Sequence, residues 1–569
     1  MPLSLPIGID DFRRLREGGH TYVDKTSLIC ELLDDPGSQV LLLPRPRRFG
    51  KSLNLSTLRY YFERSDEDLS GLFEGLTVWE AGEPYRSHFQ RYPVIYLTFK
   101  DIKPDTAEDF WADIEILIQD LFSHHRHVLD SGTLSEVQAR RYRAILAGEA
   151  TPALQRRALK ELATVLHQAY GERAMVFIDE YDAPIHSAYV RGFAPEVLGF
   201  FRAFLGGGLK GNPHLGRAVL TGILRIARES IFSGLNNLAV CSLLEHRFSS
   251  AFGFTEDETA GLLAQAGRSG ELSEVQDWYN GYRFGERVIY NPWSVLSYIH
   301  WGGEPKPYWL GTSANELIEE VLGAHATRLQ PRFEALMAEG GVDQVVDENV
   351  SLDDIEHSER ALWSLLLFSG YLKAEKCGRT EHGQAIHRLS IPNREVRLVY
   401  AHSFQKWMER RMRGHGGSLE ALTGALLTGD AVGVQRELGA FARDLLSYHD
   451  TGGLRPENMY QGFVIGLLAV MEDTHLVRSN RESGAGRPDV MIRPRRPGAP
   501  GAVLELKVAR PGEKTLDAAL DEGLAQLAAK DYAAELRAVG AEPVHGFAVA
   551  FDGKEVRVRS APAVVPPQA

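Results

Sequence analysis

The sequence has few cysteines for its length. Only three occur among 569 residues, at Cys30, Cys241 and Cys377, and they are far apart. This spacing excludes a disulfide framework and offers no paired thiols for a zinc site. A reducing, cytoplasmic location is therefore expected.

Long apolar runs are also lacking. No apolar stretch approaches the roughly 20 residues that a membrane-spanning helix needs. The first residues, Met1–Pro6, show no basic region followed by an apolar core. We therefore expect neither a signal peptide nor a membrane partner.

An excess of positive charge is lacking as well. The chain has 63 Lys and Arg against 76 Asp and Glu, a net charge of −13, so its surface as a whole does not attract nucleic acid. Residues 451–569 hold 15 basic and 15 acidic residues, and the rest of the chain carries the whole excess. A phosphate backbone is expected to bind in this neutral block, near Arg487, Arg493, Arg495 and Arg496, although solvated hairpin charges would give the same pattern.

The stretch Pro44–Ser52 dominates the first half of the chain. The apolar segment Val40–Leu43 before it is typical of a buried strand, and Leu53–Phe62 after it of a helix. A strand, a loop ending in Gly-Lys-Ser and a helix form the layout of a phosphate-binding loop, where backbone N–H groups and the helix dipole favour an anion. Lys51 would reach the β- and γ-phosphates, and the Ser52 hydroxyl would hold Mg²⁺. An ordinary helix N-terminus with a nearby serine is the alternative, since Arg45 replaces the usual opening glycine.

Two further strands supply candidate partners for this loop. The apolar run Ala174–Ile178 ends in Asp179 and Glu180, the positions of a Mg²⁺ ligand and of a base that polarises the attacking water. A strand ending in a solvated acidic turn is the alternative. The strand Arg217–Gly222 offers Thr221 as a contact for the γ-phosphate or the water, unless the strand simply ends there.

Basic residues near these strands are secondary candidates. Arg225 and Arg228 follow Thr221 closely, and an arginine there would stabilise charge on the γ-phosphate in cis or from a neighbouring subunit. The second arrangement would be a reason to form homo-oligomers, whereas a basic helix face is the structural alternative. Lys25 lies either near the nucleotide or in solvent.

These motifs resemble the bacterial AAA-ATPase-like family. The resemblance lies in Arg45–Ser52 and Phe177–Asp182, and extends to other stretches: Leu5–Gly8, Tyr22–Thr26, Phe232–Asn237 and Tyr279–Tyr282. It implies that an arginine-rich loop replaces the first glycine, and that a nuclease domain often follows. It also implies a set of ATP-binding residues, of which Ser52 and Asp179 would hold Mg²⁺: Arg45, Arg48, Phe49, Gly50, Lys51, Ser52, Asp179, Thr221 and Arg225.

A second motif lies near the C-terminus. Arg487–Ile492 is typical of a strand that begins with an acid, Arg493–Gly501 of a hairpin, and Ala502–Val508 of a second strand. Alternation along a strand places Glu505 and Lys507 on one face, and the hairpin brings Asp489 beside Glu505. Two such carboxylates suit Mg²⁺, and Lys507 would orient a water or stabilise charge. A solvated strand edge is the alternative.

This second motif resembles the PD-(D/E)XK nuclease superfamily. Pro488-Asp489 and Glu505-Leu506-Lys507 match its pattern residue by residue. The resemblance implies catalytic roles for Asp489, Glu505 and Lys507, with Asp489 and Glu505 as ligands of Mg²⁺ or Mn²⁺. It further implies Glu457 as an added acid on the first helix and Gln526 on a later helix.

The pattern of elements predicts an α/β protein of three parts and a tail. Residues 1–250 are expected to form an AAA-ATPase-like P-loop NTPase domain with a doubly wound sheet. Residues 251–445 are expected to form a mostly helical lid or linker. Aromatic clusters at 278–284 and 290–293 predict its packing against the ATPase core, with nucleotide stacking by Tyr279 or Tyr282 as the alternative. Residues 446–560 are predicted to be a restriction-endonuclease-like α/β domain, and 561–569 a disordered tail.

Together these features favour an ATP-binding, ATP-hydrolysing protein that regulates a fused Mg²⁺-dependent nuclease acting on nucleic acid, with DNA as the expected substrate. Two alternatives remain. In the first, the chain is an ATP-dependent signalling switch whose nuclease-like domain only binds nucleic acid or a protein. Alternatively, the ATPase core would be a scaffold in which Arg45, Arg47 and Arg48 contact nucleic acid.

Overall fold

The computed structural model describes residues 3–223, 235–309, 336, 341–350, 354, 358–400, 418–445, 456–478, 488–509, 514–530 and 532–561. The chain forms two compact units. The first consists of Met1–Leu317 with Asp343–Glu395, and the second of Ile318–Val342 with Val396–Ala569. Residues 251–309, predicted to belong to a lid, lie in the same unit as the N-terminal domain.

The first unit is built on a five-stranded parallel sheet. Its strands are β1 (Val40–Pro44), β2 (Val94–Thr98), β3 (Ala174–Asp179), β4 (Leu215–Gly222) and β5 (Leu238–Val240), in the spatial order β2-β3-β4-β1-β5. Every residue of β1 and β3 is buried, as expected for parallel strands covered by helices on both faces. The predicted P-loop-like α/β architecture is confirmed.

Helices surround this sheet and continue beyond it. Their bounds, in chain order, are Phe12–Glu17, Ser27–Leu33, Lys51–Phe62, Thr77–Glu80, Glu83–Arg86, Ala107–His124, His127–Asp130, Glu136–Leu146, Pro152–Gln155, Ala158–Tyr170, Ala183–Arg191, Ala194–Leu209, Glu256–Gln265, Leu272–Tyr279, Pro292–His300 and Glu359–Phe368, with 3-10 turns at Ser70–Leu72 and Ser269–Glu271. The predicted capping box is present, since Thr255 accepts from the Glu258 backbone and Glu258 from that of Thr255.

Two small sheets accompany the helices that follow the parallel sheet. One pairs β6 (Tyr282–Phe284) with β7 (Arg287–Ile289). The other has three strands, β8 (Val342–Val345), β9 (Lys373–Arg379) and β10 (Ala385–Ser390), in the order β8-β10-β9. The sequence pattern predicted helices here and missed these short strands, because three to seven residues with polar positions carry little periodic signal.

The second unit has a mixed sheet of five strands in sequential order. These are β11 (His475–Arg478), β12 (Val490–Pro494), β13 (Gly501–Val508), β14 (Val544–Asp552) and β15 (Glu555–Ser560), antiparallel except for the parallel pair β13–β14. Its helices are Leu419–Thr428, Ala431–Leu445, Pro456–Leu468, Leu516–Ala529 and Ala534–Ala538, with a 3-10 segment at Ala469–Asp473. The predicted α/β nuclease-like domain is confirmed.

Both faces of this sheet are covered. Leu504 and Leu506 pack with the helices that precede β11, while Met491, Val503 and Ala548 pack with the helix Leu516–Ala529. Since side chains alternate along β13, Glu505 and Lys507 lie on the face covered by Leu516–Ala529. Among the helices that the structure describes, none has both the length and the apolar character needed to cross a membrane.

Candidate functional sites

The loop between β1 and the helix Lys51–Phe62 turns sharply at two residues. Gly50 has φ +85° and Arg48 φ +65°, both in the left-handed region that costs energy for a residue with a Cβ atom. The helix then begins at Lys51, so its first backbone N–H groups lie at the end of the loop. This is the backbone arrangement of an anion site.

Lys51 lies beneath this loop. Its ammonium is buried and donates to the Pro46 carbonyl at 3.1 Å, and it forms no ion pair with any described residue. Burial lowers the pKa of Lys51, an effect partly offset by the negative charges of Glu180 and Asp179. The site thus holds a desolvated cation whose charge is not neutralised at close range.

Asp179 joins three elements at the carboxyl edge of the sheet. The Ser52 hydroxyl donates to its Oδ2 at 2.6 Å, and the Thr221 hydroxyl donates to its Oδ1 at 2.7 Å. Asp179 is 1% exposed and Asp182 is 2% exposed, so the turn after β3 is not a solvated acidic turn. The structure therefore brings together Ser52, Asp179 and Thr221, three residues that the sequence analysis selected independently.

Glu180 follows in a strained backbone conformation. Its φ is +48°, a conformation that costs a non-glycine residue of order 1–3 kcal/mol and is concentrated at functional sites. Burial raises the pKa of Glu180, while the positive charge of Lys51 acts in the opposite direction. The carboxylate therefore lies close enough to Lys51 to sense its charge.

Asp182, for which the sequence predicted no role of its own, fixes the end of β4. Its Oδ2 accepts from the backbone N–H of Ile223 at 2.7 Å. A Cβ at Gly222 would lie 2.6 Å from Asp182 Oδ1, so the close approach requires glycine. This contact holds the Thr221 end of β4 against the turn after β3.

Arg45 does not lie where the sequence analysis predicted. Its guanidinium is 0% exposed and donates to the carbonyls of Pro44 and Cys241 at 2.8 Å and of Phe248 at 3.3 Å. The rings of Phe252 and Phe284 lie 5.1 and 5.2 Å away, and burial lowers its pKa to about 10. Arg45 therefore supports the loop from within the fold. Because its guanidinium donates to backbone carbonyls inside the fold, a structural role suits Arg45 better than nucleotide contact or the alternative nucleic-acid contact.

Arg48 and Phe49 also pack against the protein. The Arg48 guanidinium lies 3.7 Å from the centre of the Trp293 ring, and the Phe49 ring contacts Tyr282 at 4.9 Å and Phe284 at 5.2 Å between centroids. The predicted packing of the aromatic clusters against the ATPase core is thus present. Tyr282 is buried in this packing, as predicted, which argues against the alternative that its ring stacks on a nucleotide.

Three other candidates have different outcomes. Arg225 and Arg228 lie outside the described residues. Lys25 is buried, so it is not the solvated lysine of the alternative. Its ammonium pairs with Glu258 Oε2 at 2.6 Å and donates to the Ser250 carbonyl at 2.9 Å.

In the second unit, strand register brings Asp489 opposite Glu505. Val490 pairs with Leu504 across the antiparallel strands β12 and β13. Asp489, just before β12, therefore faces Glu505 of β13. Asp489 Oδ2 accepts from the Leu506 N–H at 2.7 Å, and Gln461 Nε2 donates to the Asp489 carbonyl at 2.6 Å. The hairpin arrangement predicted from the sequence is present, and Gln461 is an additional support that the pattern did not reveal.

Glu505 is a buried carboxylate with an incomplete set of partners. It is 1% exposed; Lys507 Nζ donates to its Oε1 at 2.9 Å, and Oε2 has no hydrogen-bond partner among the described residues. Burial, and next the charge of Asp489, raise the pKa of Glu505 to about 7, against the opposing effect of Lys507. A buried acceptor without a donor is costly, and a cation beside it would remove that cost.

Small residues surround this pair. Glu505 lies beside Ala548 and Lys507 beside Ala550 in the parallel register of β13 and β14. A Cβ at Gly523, on the covering helix, would lie 3.0 Å from Ala548 Cβ and 3.6 Å from Lys507 Cγ. The helix can therefore approach the strand at this point only because three side chains are small or absent.

The two remaining candidates stay predictions. Gln526 lies on the helix Leu516–Ala529 and donates to the Tyr532 hydroxyl at 3.0 Å. Glu457 lies on the helix Pro456–Leu468, as expected, but its side chain is outside the described part of the structure.

The donor set tests whether a divalent metal fits. In the described residues, no group of three or more His, Cys, Asp or Glu side chains is arranged to hold one. Asp489 and Glu505 nevertheless form a pair of carboxylates with an unpaired buried oxygen, the hard donors that Mg²⁺ and Mn²⁺ require. The residues fit such an ion, with water or substrate oxygens as the other ligands.

Comparison with known proteins identifies two regions of the chain. A family model described as predicted AAA-ATPase matches residues 6–232, and one described as PD-(D/E)XK nuclease superfamily matches residues 455–561. A relative from Azotobacter chroococcum mcd 1, named as an uncharacterized protein in the vnfD 5′ region, is 30% identical over 566 residues, which cover 96% of each chain.

The chain belongs to the predicted AAA-ATPase family, with a PD-(D/E)XK nuclease superfamily domain at its C-terminus. The nuclease model begins at residue 455 and ends at 561, close to the predicted domain 446–560. In this AAA-ATPase-like protein, the Ser52–Asp179–Thr221 cluster lies within the first match and the Asp489–Glu505–Lys507 cluster within the second.

Proposed function

We propose that this AAA-ATPase-like protein binds and hydrolyses ATP with Mg²⁺ in its first unit, and that the nucleotide state controls a Mg²⁺-dependent nuclease in its second. Nucleic acid, with DNA as the expected form, is the substrate. One observation carries the proposal: in one unit the buried Asp179 is bonded to Ser52, which follows the buried Lys51 of the loop, and in the other the buried Glu505 is bonded to Lys507.

The arrangement around Asp179 supports nucleotide hydrolysis. Lys51 and the N-terminus of its helix would hold the phosphates, and Ser52 with Asp179 would hold Mg²⁺. Thr221, already bonded to Asp179, would contact the γ-phosphate or the attacking water. Glu180, with its pKa raised by burial, is suited to accept a proton from that water.

The arrangement around Glu505 supports phosphodiester cleavage. Asp489 and Glu505 would hold the divalent metal, which supplies Lewis acidity to the phosphodiester and its attacking water. Lys507 is fixed by Glu505 at 2.9 Å and would stabilise negative charge on the reacting phosphate. Glu457 and Gln526 remain proposed supporting residues of this reaction.

Asp489→Asn is the sharpest test of the nuclease. Asparagine keeps an acceptor for the Leu506 N–H but removes the charge that a metal ligand needs. Plasmid, linear DNA, single-stranded DNA and RNA are incubated with Mg²⁺, with and without ATP. The variant should lose cleavage at least a hundredfold and keep ATP hydrolysis within about twofold of the original protein.

Asp517→Asn serves as the matched control, because Asp517 is an exposed acid of the same unit that pairs with Arg557 and Arg559. It should retain both activities. Cleavage that survives Asp489→Asn in a clean preparation would refute the nuclease assignment and favour a nuclease-like domain that only binds nucleic acid or a protein.

A further inference from the structure

The phosphate-binding loop is packed against a wall formed by residues that follow the parallel sheet. We call this set the loop wall: Gly253, Tyr282, Phe284, Trp293 and Gly370. Trp293 holds Arg48, Tyr282 and Phe284 hold Phe49, and the Gly253 N–H donates to the Phe49 carbonyl at 3.1 Å.

The fit between loop and wall leaves no spare volume at two glycines. A Cβ at Gly253 would lie 2.9 Å from Phe49 Cδ1, and one at Gly370 would lie 2.9 Å from Pro46 Cβ. Both glycines also have positive φ, +77° and +89°. Because closely packed surfaces leave no room for one to move alone, we expect a shift of the loop on binding phosphate to move the wall.

A helix that leaves the first unit is anchored next to the same wall. This exit helix covers residues 394–400, and the chain passes from the first unit to the second between Glu395 and Val396. Asn393 donates to the Asn280 carbonyl at 2.8 Å, and the Arg394 guanidinium lies 4.1 Å from the Trp278 ring centre. Asn280 and Trp278 lie just before the Tyr282 that packs on Phe49.

Glu395 makes the deepest of these attachments. It is fully buried; its Oε1 accepts from the Trp309 N–H at 2.7 Å and its Oε2 from the Ser294 hydroxyl at 2.8 Å. Ser294 is the neighbour of Trp293, which stacks on Arg48. A carboxyl is a costly choice for a position that needs only packing, whereas two directed bonds fix the start of the exit helix in one orientation.

We propose that Glu395, bonded to Ser294 and Trp309, couples the phosphate-binding loop to the exit helix, and so transmits the nucleotide state towards the nuclease unit. The inference rests on the proposed function, because it concerns the control of the second site by the first. The chain of contacts runs from Arg48 through Trp293 and Ser294 to Glu395. Glu395 acts on neither reaction directly and is a positioning residue.

The test compares the ratio of cleavage rates with and without ATP in full-length variants. Glu395→Leu removes both bonds, and its ratio should fall to within about twofold of one. ATP affinity and the hydrolysis rate should stay within about threefold of the original values. Glu395→Gln retains an acceptor for the Trp309 N–H and a polar partner for Ser294, so this variant should keep the ATP response of the original protein.

Two further variants make the result interpretable. Ser294→Ala removes one of the two bonds and should weaken the ATP response. It keeps the test available if Glu395→Leu does not fold. Glu256→Gln changes a carboxylate of the same unit, bonded to Tyr290 and Gln276, and should leave the response unchanged.

The outcomes separate this inference from the proposed function. An original protein whose cleavage is indifferent to ATP would refute the regulation itself, and the inference with it. If the original protein responds to ATP and the Glu395→Leu and Ser294→Ala variants respond equally, the role of Glu395 is refuted while the proposed function stands. A response lost in the leucine variant and also in the glutamine variant would count against the bonding role of Glu395.

Discussion

The Ser52 hydroxyl donates to Asp179 over 2.6 Å, although the two residues are 127 positions apart in the sequence. Thr221 occupies the other oxygen of the same carboxylate at 2.7 Å. A Mg²⁺ ion held by Ser52 and Asp179 would replace the first of these bonds, whereas the second orients the carboxylate. The two hydroxyls therefore have separable roles.

The Thr221→Val variant tests the orienting bond. Valine keeps the shape of the side chain but leaves a buried oxygen of Asp179 without a donor, which costs about 1–3 kcal/mol. We expect a lower melting temperature without nucleotide and at least a tenfold loss of ATP hydrolysis. Thr164→Val is the control, because among the described residues its hydroxyl bonds within its own helix, to the Lys160 carbonyl. Unchanged hydrolysis in Thr221→Val would remove Thr221 from the site.

Two buried lysines should respond in opposite directions to the same substitution. Lys51 pairs with no described carboxylate, so Lys51→Met relieves the cost of a buried cation and should raise the melting temperature while abolishing ATP binding in calorimetric titration. Lys25 is 2.6 Å from Glu258, and Lys25→Met strands that carboxylate and should lower the melting temperature. Full ATP affinity in Lys51→Met would refute the phosphate-binding loop.

Much of this architecture could be predicted from local sequence. The buried strands β1 and β3 are continuous apolar runs, and each leads directly to a candidate site residue, Lys51 through the loop and Asp179 at the strand end. The Glu505–Lys507 pair follows from simple alternation along β13, because residues two apart in a strand share a face. In each case the sequence interval that matters is short.

Long-range partners could not be predicted in this way. Arg45 looked like a phosphate ligand because of its place in the loop, yet its acceptors Cys241 and Phe248 lie about 200 residues later and are backbone carbonyls, which leave no mark in a sequence. Glu395 was missed because a single acid in a polar segment predicts exposure. Its hydrogen-bond donors, Ser294 and Trp309, are brought near only by the fold.

The burial of Glu395 predicts a pH dependence of stability. Burial raises its pKa from 4.5 to about 8, so between these values the folded state holds a proton that the unfolded state releases. This contribution to the free energy of unfolding is complete below pH 4.5 and is lost as the pH rises towards 8. The nearby Tyr279, Tyr282 and Tyr308 have pKa values raised by burial and do not titrate in this window.

Glu395→Gln should therefore gain melting temperature relative to the original protein as the pH is raised from 5 to 8. Glu256→Gln, measured in parallel, should show no such trend. A difference between Glu395→Gln and the original protein that stays constant across this range would contradict the buried, protonated state of Glu395.

Metal binding at the second site is tested by removing Lys507, the cation already bonded to Glu505. The Lys507 ammonium donates to Glu505 Oε1, while Oε2 is the oxygen open to a divalent metal, so the two cations would share one carboxylate and compete for its charge. Lys507→Met should bind Mn²⁺ at least as tightly as the original protein in calorimetric titration, yet cleave DNA at least a hundredfold more slowly, because charge on the reacting phosphate is no longer stabilised.

Glu505→Gln provides the opposite pattern, since it removes the ligand charge and should lose both Mn²⁺ binding and cleavage. Glu555→Gln, at an exposed position on β15, is the control for a general loss of negative charge. If Lys507→Met loses Mn²⁺ affinity together with cleavage, the lysine supports the fold of the site and does not compete with the metal. The separate roles of Glu505 as ligand and Lys507 as charge stabiliser would then be wrong.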